Sequence, residues 1–102
     1  MRESIELCKE DGVAEGQARG FVVHGKRILV ARVGGTLYAV DGTCTHAEAD
    51  LSTGFLVGKR ITCPLHLSIF DLKTGKAVSP PATEPLRTFE VEVVDDSLRV
   101  RL

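Results

Sequence analysis

Glycine and proline interrupt almost every stretch of this chain that is long enough to form an α-helix. Ten glycines and four prolines are spread over 102 residues, and inside a helix they cost about 1 and 3 kcal/mol each relative to alanine. Strand signals are frequent instead, as short apolar runs bounded by turn residues. The sequence therefore predicts an all-β chain, and its length fits a single domain spanning residues 1–102.

The clearest strand pattern lies at the C-terminal end. Apolar and charged or polar side chains alternate in residues 88–93 and again in residues 98–102, on either side of Asp95-Asp96-Ser97. A period of two with charges at every other position is typical of a half-buried antiparallel strand. The two runs predict a hairpin across which two glutamates of the first strand face two arginines of the second.

Two further hairpins are predicted in the first half of the chain. Apolar residues 21–23 and 27–31 flank His24-Gly25-Lys26, and Gly34-Gly35 separates the second of these runs from residues 36–40. Consecutive glycines tolerate the positive φ that tight hairpin turns need. Both ends of the chain are therefore rich in strands.

The middle of the chain, from residue 41 to residue 81, has a different character. Glycine and proline recur there at close spacing, and all the unusual side-chain chemistry of the sequence falls within it. We interpret this stretch as a loop-rich insertion on a β scaffold, where functional groups tend to lie.

Four candidate metal ligands occur there in two pairs, Cys44-Thr45-His46 and Cys63-Pro64-Leu65-His66. Chance placement is disfavoured, because two of the three cysteines and two of the three histidines fall in the pairs. Structural zinc is a second interpretation, although zinc sites favour Cys-x(2–4)-Cys and His-x(3–5)-His spacings. A 2Fe-2S cluster held by two cysteines and two histidines is the third.

The two pairs resemble the signature of the Rieske family, which is Cys-x-His, about 15–17 residues, then Cys-x-x-His. Residues 70–75 resemble the hairpin that follows the family's second cluster loop, and Ser79-Pro80-Pro81 resembles the proline-rich loop that shields the cluster. The resemblance implies a Rieske-like fold of three stacked antiparallel sheets. It also implies an inserted cluster-binding subdomain at about residues 41–81.

By the same resemblance, one Rieske 2Fe-2S cluster is bound per chain. Cys44 and Cys63 would hold the inner iron, and His46 and His66 the outer, exposed iron. Two neutral imidazoles in place of two thiolates remove two negative charges from the cluster. An electron is then accepted at a higher potential than the roughly −400 mV of all-cysteine plant-type ferredoxins.

Other residues have both ordinary and functional interpretations. Cys8 is expected to be a small buried strand residue. Ser68 either donates its hydroxyl proton to a bridging sulfide, as the resemblance implies, or satisfies backbone groups. Pro80 and Pro81 either shield the cluster or form an ordinary turn.

Charged and apolar residues near the ligand pairs are candidates for docking. Asp41, Glu48 and Asp50 flank the first pair, and Leu67 follows His66. Such charges are either solvated loop residues or groups that guide a partner, since charge complementarity mainly sets the on-rate.

Missing features distinguish the branches of the family. Respiratory Rieske subunits have a membrane anchor and two further cysteines, which would fall where this chain has Ala49 and Leu65. Oxygenase catalytic subunits have a large additional domain. Residues 79–86 resemble the ferredoxins of bacterial aromatic-ring-hydroxylating dioxygenase systems.

That branch implies an electron carrier between an NAD(P)H-dependent flavoprotein reductase and a terminal oxygenase, with no catalytic residues of its own. The alternatives are the small subunit of an assimilatory nitrite reductase and a structural zinc module. We expect the chain not to be an enzyme by itself.

Charge and hydropathy limit the other partners. Lysine plus arginine is 13 and aspartate plus glutamate is 14, which leaves a net charge of −1. This balance argues against nucleic acid and against a polybasic membrane anchor. Residues 1–6 have no apolar signal region, and no run approaches the roughly 20 residues that span a bilayer. We predict a soluble, cytoplasmic monomer.

Overall fold

The computed structural model describes residues 3–45, 49–65, 67–80 and 82–102, and these residues form ten strands, two 3-10 turns and no α-helix. The strands are β1 (Ser4–Lys9), β2 (Ala18–Val23), β3 (Lys26–Val33), β4 (Thr36–Asp41), β5 (Phe55–Val57), β6 (Arg60–Thr62), β7 (Ile69–Asp71), β8 (Ala77–Ser79), β9 (Thr88–Val94) and β10 (Ser97–Arg101). The 3-10 turns are Glu10–Gly12 and Leu51–Thr53. The predicted all-β class is confirmed.

The strands form two antiparallel sheets. One has six strands in the order β1-β10-β9-β4-β3-β2, and the other has four in the order β5-β6-β7-β8. The larger sheet consists of two three-stranded groups, which are joined where Ala39 and Val40 of β4 pair with Phe89 and Thr88 of β9. Two of the three expected layers are therefore hydrogen-bonded to each other through this short pairing.

Strand β3 lies between two hydrophobic cores. Its run from Ile28 to Ala31 is fully buried although the side chains alternate between faces. Ile28 and Val30 pack in one core with the C-terminal hairpin, and Leu29 and Ala31 pack in the other with the middle of the chain. Burying each larger side chain stabilises the fold by roughly 1.5–3 kcal/mol, so β3 connects the base to the part of the chain that carries the candidate ligands.

All three predicted hairpins of the larger sheet are present. Their turns are His24-Gly25, Gly34-Gly35 and Asp95-Asp96, and all six residues have positive φ. Turns of two residues with positive φ match the twist of the flanking strands. Lys26 and Ser97 were expected in the turns but are the first residues of β3 and β10, because two residues suffice to reverse the chain.

The predicted charge pairing across the C-terminal hairpin is confirmed. Arg99 lies opposite Glu92, and Arg101 lies opposite Glu90. The Arg101 guanidinium is 3.4 Å from a carboxylate oxygen of Glu92 and 3.9 Å from one of Glu90. Exposed pairs of this kind contribute at most about 1 kcal/mol, so they favour the strand register more than they stabilise the fold.

The turn between β7 and β8 anchors a distant segment. The Gly75 N–H donates to the Asp71 carbonyl oxygen at 2.7 Å, and the Gly75 carbonyl oxygen accepts from the Leu86 N–H at 2.7 Å. Gly75 has a φ of +79°, and a Cβ at this position would collide with the Leu86 carbonyl oxygen. Only glycine fits, since it has no Cβ and adopts positive φ freely.

Among the described residues, no helix has the length and apolar character needed to cross a lipid bilayer.

Two glycine substitutions test how much the close approach of Gly75 to the Leu86 carbonyl oxygen matters for stability. Gly25 has a similar φ of +75° but open space where a Cβ would lie. We expect Gly25→Ala to cost about 1 kcal/mol, which lowers Tm by about 4–8 °C in a chain of this size. Gly75→Ala should lower Tm more than twice as far, because its Cβ also displaces the Leu86 backbone. Equal Tm values in thermal scans of the two variants would contradict the structural role given to Gly75.

Candidate metal centre

The two predicted cysteine ligands lie in the same hydrophobic core. Cys44 follows β4 and Cys63 follows β6, and their exposed fractions are 4% and 0%. Both pack with Phe70 and Ile61 in the core that also contains Leu29 of β3. Neither is in a disulfide. The fold therefore brings one cysteine from each sequence pair into a dry environment.

A backbone hydrogen bond closes the loop that each of these cysteines begins. The Cys44 N–H donates to the Ala49 carbonyl oxygen at 3.0 Å, and the Cys63 N–H donates to the Ser68 carbonyl oxygen at 2.7 Å. We call residues 44–49 and 63–68 the two cysteine loops. The predicted ligands His46 and His66 belong to these loops in sequence and lie outside the described residues.

The environment of the Cys63 sulfur disfavours a bare thiolate. Burial raises the pKa of the Cys63 thiol, the Leu65 backbone N–H opposes this rise, and the adjacent Cys44 side chain adds to it. A thiol in such surroundings stays protonated unless a cation compensates the negative charge. The two sulfurs interact directly, so a single iron could compensate both.

The donor set fits a thiolate-ligated metal group. Two free, buried and adjacent thiols supply the pair of thiolates that one iron of a mixed-ligand cluster takes, and bound metal ions hold thiols deprotonated. Within the described residues, no three side chains of His, Cys, Asp or Glu are arranged to hold a metal ion. His46 and His66, the other two predicted ligands, lie outside that set.

A proline-containing stretch packs in the same core as the two cysteines. We call Ser79, Pro80 and residues 82–86 the proline segment; Pro81 lies outside the described residues. Ala82 and Leu86 are 5% and 3% exposed and pack in the same core as the cysteines. This placement accords with the predicted shielding role of the segment.

Side-chain hydroxyls join the proline segment to both cysteine loops. The Thr45 Oγ1 hydroxyl donates to the Glu84 carbonyl oxygen at 2.8 Å. The Ser68 Oγ accepts from the Ala82 N–H at 3.1 Å. The first bond spans 39 positions of sequence and the second spans 14, so they connect parts of the chain that sequence alone does not bring together.

Ser68 is fully buried. Its backbone-satisfying role is present, through the bond from Ala82, and this bond uses the hydroxyl only as an acceptor. A serine hydroxyl can donate and accept at the same time. Donation to a bridging sulfide therefore stays a prediction that is compatible with this geometry.

Cys8 lies apart from the other two cysteines. It belongs to β1, is half-buried, and packs against the core that contains Leu98 and Val100. Burial raises the pKa of its thiol, and the nearby Arg19 guanidinium opposes this rise. Cys8 is a strand residue, as expected, but it is half-buried rather than buried, whereas Cys44 and Cys63 are buried.

Two of the three acidic residues proposed for docking have structural partners. An Asp50 carboxylate oxygen accepts from the Ser52 N–H at 3.0 Å and from the Ser52 hydroxyl at 2.7 Å, and the hydroxyl bond lowers the pKa of Asp50. Asp41 accepts from the Arg87 N–H at 3.1 Å. Glu48 lies outside the described residues. The Asp41 and Asp50 carboxylates therefore each accept a hydrogen bond from a backbone N–H, which is an ordinary structural role.

Two apolar side chains near the second ligand pair are exposed. Leu65 and Leu67 show 52% and 60% of their surface to solvent. Leu67 has a φ of +59°, which is unusual for a residue with a Cβ. Sequence reasoning named Leu67 as a docking candidate but missed Leu65 in that role, although its position beside His66 was a usable signal.

Sequence reasoning also missed Thr45. The residue between the first cysteine and histidine carried no recognisable signal, because its partner at Glu84 is a backbone carbonyl, which every residue has. Only the folded chain identifies such a bond.

Comparisons with known proteins agree on the family. The family model for the Rieske [2Fe-2S] domain matches residues 3–90. The chain is 44% identical, over 96% of its length and 92% of the relative, to the ferredoxin component of the naphthalene 1,2-dioxygenase/salicylate 5-hydroxylase systems of Ralstonia sp. It is 40% identical, with the same coverage, to the ferredoxin component of the naphthalene 1,2-dioxygenase system of Pseudomonas putida.

Solved structures share the fold. A chain in the complex of reduced oxygenase and oxidized ferredoxin of carbazole 1,9a-dioxygenase superposes with a TM-score of 0.91 at 38% identity, covering 96% of this chain and 92% of that one. The carbazole 1,9a-dioxygenase ferredoxin from Nocardioides aromaticivorans IC177 superposes with a TM-score of 0.89 at 32% identity, covering 95% of each. With a family model spanning most of its residues and these relatives matched nearly end to end, the chain belongs to the Rieske [2Fe-2S] family.

Proposed function

We propose that this protein is a one-electron carrier that uses a Rieske 2Fe-2S cluster. It passes electrons from an NAD(P)H-dependent flavoprotein reductase to the terminal oxygenase of an aromatic-ring-hydroxylating system. The observation that carries the proposal is the pair of free, buried and adjacent thiols of Cys44 and Cys63 in a chain similar to dioxygenase ferredoxin components over nearly its whole length.

In this proposal Cys44, His46, Cys63 and His66 bind one cluster per chain. Residues 1–102 form a single Rieske domain, whose cluster-binding subdomain spans about residues 41–81. Strands β5 to β8 support this division, because they all lie between residues 55 and 79 and pair only with one another in the sheet order.

When bound, the cluster takes up and releases one electron at a time. The chain's own residues control the surroundings. Phe70, Leu72 and Ala82 exclude water on the side of the cysteines, and the Leu65 N–H is directed at the Cys63 sulfur. These roles tune a redox group and transform no substrate, so the protein is an electron-transfer component rather than an enzyme by itself.

The partners follow from the same proposal. The reductase and the oxygenase meet the end of the molecule that carries the cysteine loops, where Leu65 and Leu67 are exposed. Electron-transfer interfaces are typically small and transient. In this proposal the carboxylates of Glu48 and Asp50 guide docking by their charge. The protein acts as a cytoplasmic monomer and needs neither nucleic acid nor a membrane.

The cofactor and its ligands can be tested by substitution. We expect the wild-type protein to be red-brown, with about two irons and two acid-labile sulfides per chain. Cys44→Ser, Cys63→Ser, His46→Ala and His66→Ala should each lose most of that iron and sulfide. Cys8→Ser and His24→Ala are matched controls, because they change the same residue types elsewhere, and should retain both. Zinc without acid-labile sulfide in the wild type would refute the proposal.

The reduction potential is expected at the low end of the Rieske range, roughly −150 mV. High-potential members of the family have a disulfide between the loops and a tyrosine hydroxyl near a ligand sulfur. This chain has Ala49, Leu65 and the fully buried Phe70 at those positions. Phe70→Tyr should raise the potential by about 40 mV if the new hydroxyl contributes about 1 kcal/mol more in the reduced state. Potentiometry giving a wild-type value near +300 mV would contradict this assignment.

Electron transfer itself distinguishes the proposal from the nitrite reductase alternative. The reduced protein is mixed in a stopped-flow instrument with the oxygenase component of a naphthalene 1,2-dioxygenase system, and separately with the sirohaem subunit of an assimilatory nitrite reductase. We expect rapid oxidation of the 2Fe-2S absorbance by the oxygenase and slow oxidation by the sirohaem subunit. The reverse order would favour the alternative. Structures of nitrite reductase small subunits are similar at only 23% and 17% identity, which shows the fold alone.

A further inference from the structure

The proline segment contacts both cysteine loops at neighbouring positions. Thr45 of the first loop bonds to Glu84, and Ser68 of the second loop bonds to Ala82, two residues earlier in the segment. The three cysteines are free thiols, so no disulfide joins the loops. Apart from a bound metal group, the links between the two loops are therefore non-covalent contacts such as these.

The segment is also held at its two ends. The Ser79 Oγ accepts from the Ile69 N–H at 3.2 Å, and the Leu86 N–H donates to the Gly75 carbonyl oxygen at 2.7 Å. Pro80 and Pro85 restrict the backbone near each end, because their φ angles are fixed. The described residues of the segment are thus anchored near both ends, which favours opening as a unit.

Two side chains of the segment are buried in the same core as the candidate cysteine ligands. Ala82 and Leu86 are almost completely buried in the core that contains Cys44 and Cys63. Opening of the segment would remove this cover and admit water or a chelator. The outer side is held by the Thr45 hydroxyl at Glu84, where both residues are exposed.

We propose that the proline segment couples the two cysteine loops through the hydroxyls of Thr45 and Ser68, and that Thr45 is a positioning residue for the metal centre. The inference rests on the proposed ligand set. As a positioning residue, Thr45 itself contacts no reacting group. It acts by keeping the segment closed over the cysteines, and it thereby links the order of the first loop to that of the second.

The chain contains a matched control for Thr45. Thr53 also donates its Oγ1 hydroxyl to a backbone carbonyl oxygen in an exposed loop, at 2.7 Å to Asp50 compared with 2.8 Å from Thr45 to Glu84. The Thr53 bond is local, three residues apart, whereas the Thr45 bond reaches the proline segment. Thr45→Val and Thr53→Val thus remove equivalent hydroxyls with the same loss of polarity and nearly the same shape.

The experiment uses the cluster-loaded protein. Amide hydrogen exchange is followed at Ala82, Thr83, Glu84 and Leu86, and the decay of cluster absorbance is followed in excess chelator. We expect Thr45→Val to speed both by about fivefold, the factor that corresponds to about 1 kcal/mol for one neutral hydrogen bond. Thr45→Ser retains the hydroxyl and should restore wild-type rates, and Thr53→Val should leave both rates unchanged.

Two results would overturn the proposal. One is unchanged exchange and unchanged cluster decay in Thr45→Val. The other is equal acceleration in Thr45→Val and Thr53→Val, which would indicate general loosening of the loops. An incorrect ligand set can be told apart from an incorrect coupling proposal. It would appear as an absence of iron and sulfide from the wild-type protein, before the threonine variants are compared.

Comparing two single variants tests the coupling itself. Ser68→Ala removes the acceptor of the buried Ala82 N–H. If both hydroxyls hold one segment that opens as a unit, Thr45→Val and Ser68→Ala should each speed exchange at all four amides of the segment, those of Ala82, Thr83, Glu84 and Leu86, because both bonds break in the same opening. Acceleration by Ser68→Ala at Ala82 alone, together with acceleration by Thr45→Val at Glu84 and Leu86 alone, would show that the loops are held independently.

Discussion

The burial of β3 on both faces is the constraint on which the rest of the structure depends. Four consecutive residues from Ile28 to Ala31 are inaccessible to solvent, and they divide between two cores. Such a strand needs cover on both sides, because each exposed face would leave apolar area in contact with water. The C-terminal hairpin covers one face, and the loops and small sheet of the middle of the chain cover the other.

This arrangement explains how a chain of 102 residues supports an irregular, loop-rich site. The cysteine loops do not lie at the tip of an independent core. Cys44 and Cys63 share their core with Leu29 and Ala31 of β3, so the apolar contacts that stabilise the base also hold the backbone on which the ligands are carried. Small domains bury a modest fraction of their surface. Sharing β3 between two cores lets one strand contribute buried apolar area on both of its faces.

The same core creates an electrostatic requirement. Burial raises the pKa of Cys63, and the Cys44 side chain adds to the effect. Two adjacent buried thiols are a poor place for negative charge and a good place for a metal that supplies positive charge. The surrounding loops are closed by backbone hydrogen bonds and joined to the proline segment by Thr45 and Ser68. Hydrogen bonds therefore hold the loops in place, and apolar contacts exclude water.

Sequence reasoning predicted features that depend on neighbours along the chain. Alternation with a period of two predicted the C-terminal hairpin, and glycine or aspartate at the turns predicted where strands reverse, because positive φ is a local property. The turns were one residue shorter than predicted, since Lys26 and Ser97 joined the strands, and β2 began at Ala18, three residues before the predicted apolar run. The ligand types and their spacing were also local, and they indicated the family without a structure.

Contacts between distant parts of the chain were a different matter. The donation from Thr45 to Glu84 and the collision that reserves position 75 for glycine each involve a backbone carbonyl, which carries no residue-specific signal. The structural partner of Asp50 lay only two residues away, yet the choice between that bond and solvent depended on the 3-10 turn that follows it. The sequence by itself determined the hairpins of the larger sheet, their turns and the chemistry of the ligand pairs, whereas strands β5 to β8 lie in the stretch that was interpreted as loop-rich. Only the tertiary structure decided that Cys44 and Cys63 lie in one dry core together with Ala82 and Leu86 of the proline segment. That arrangement depends on how the sheets pack, and packing brings together residues that are far apart along the chain.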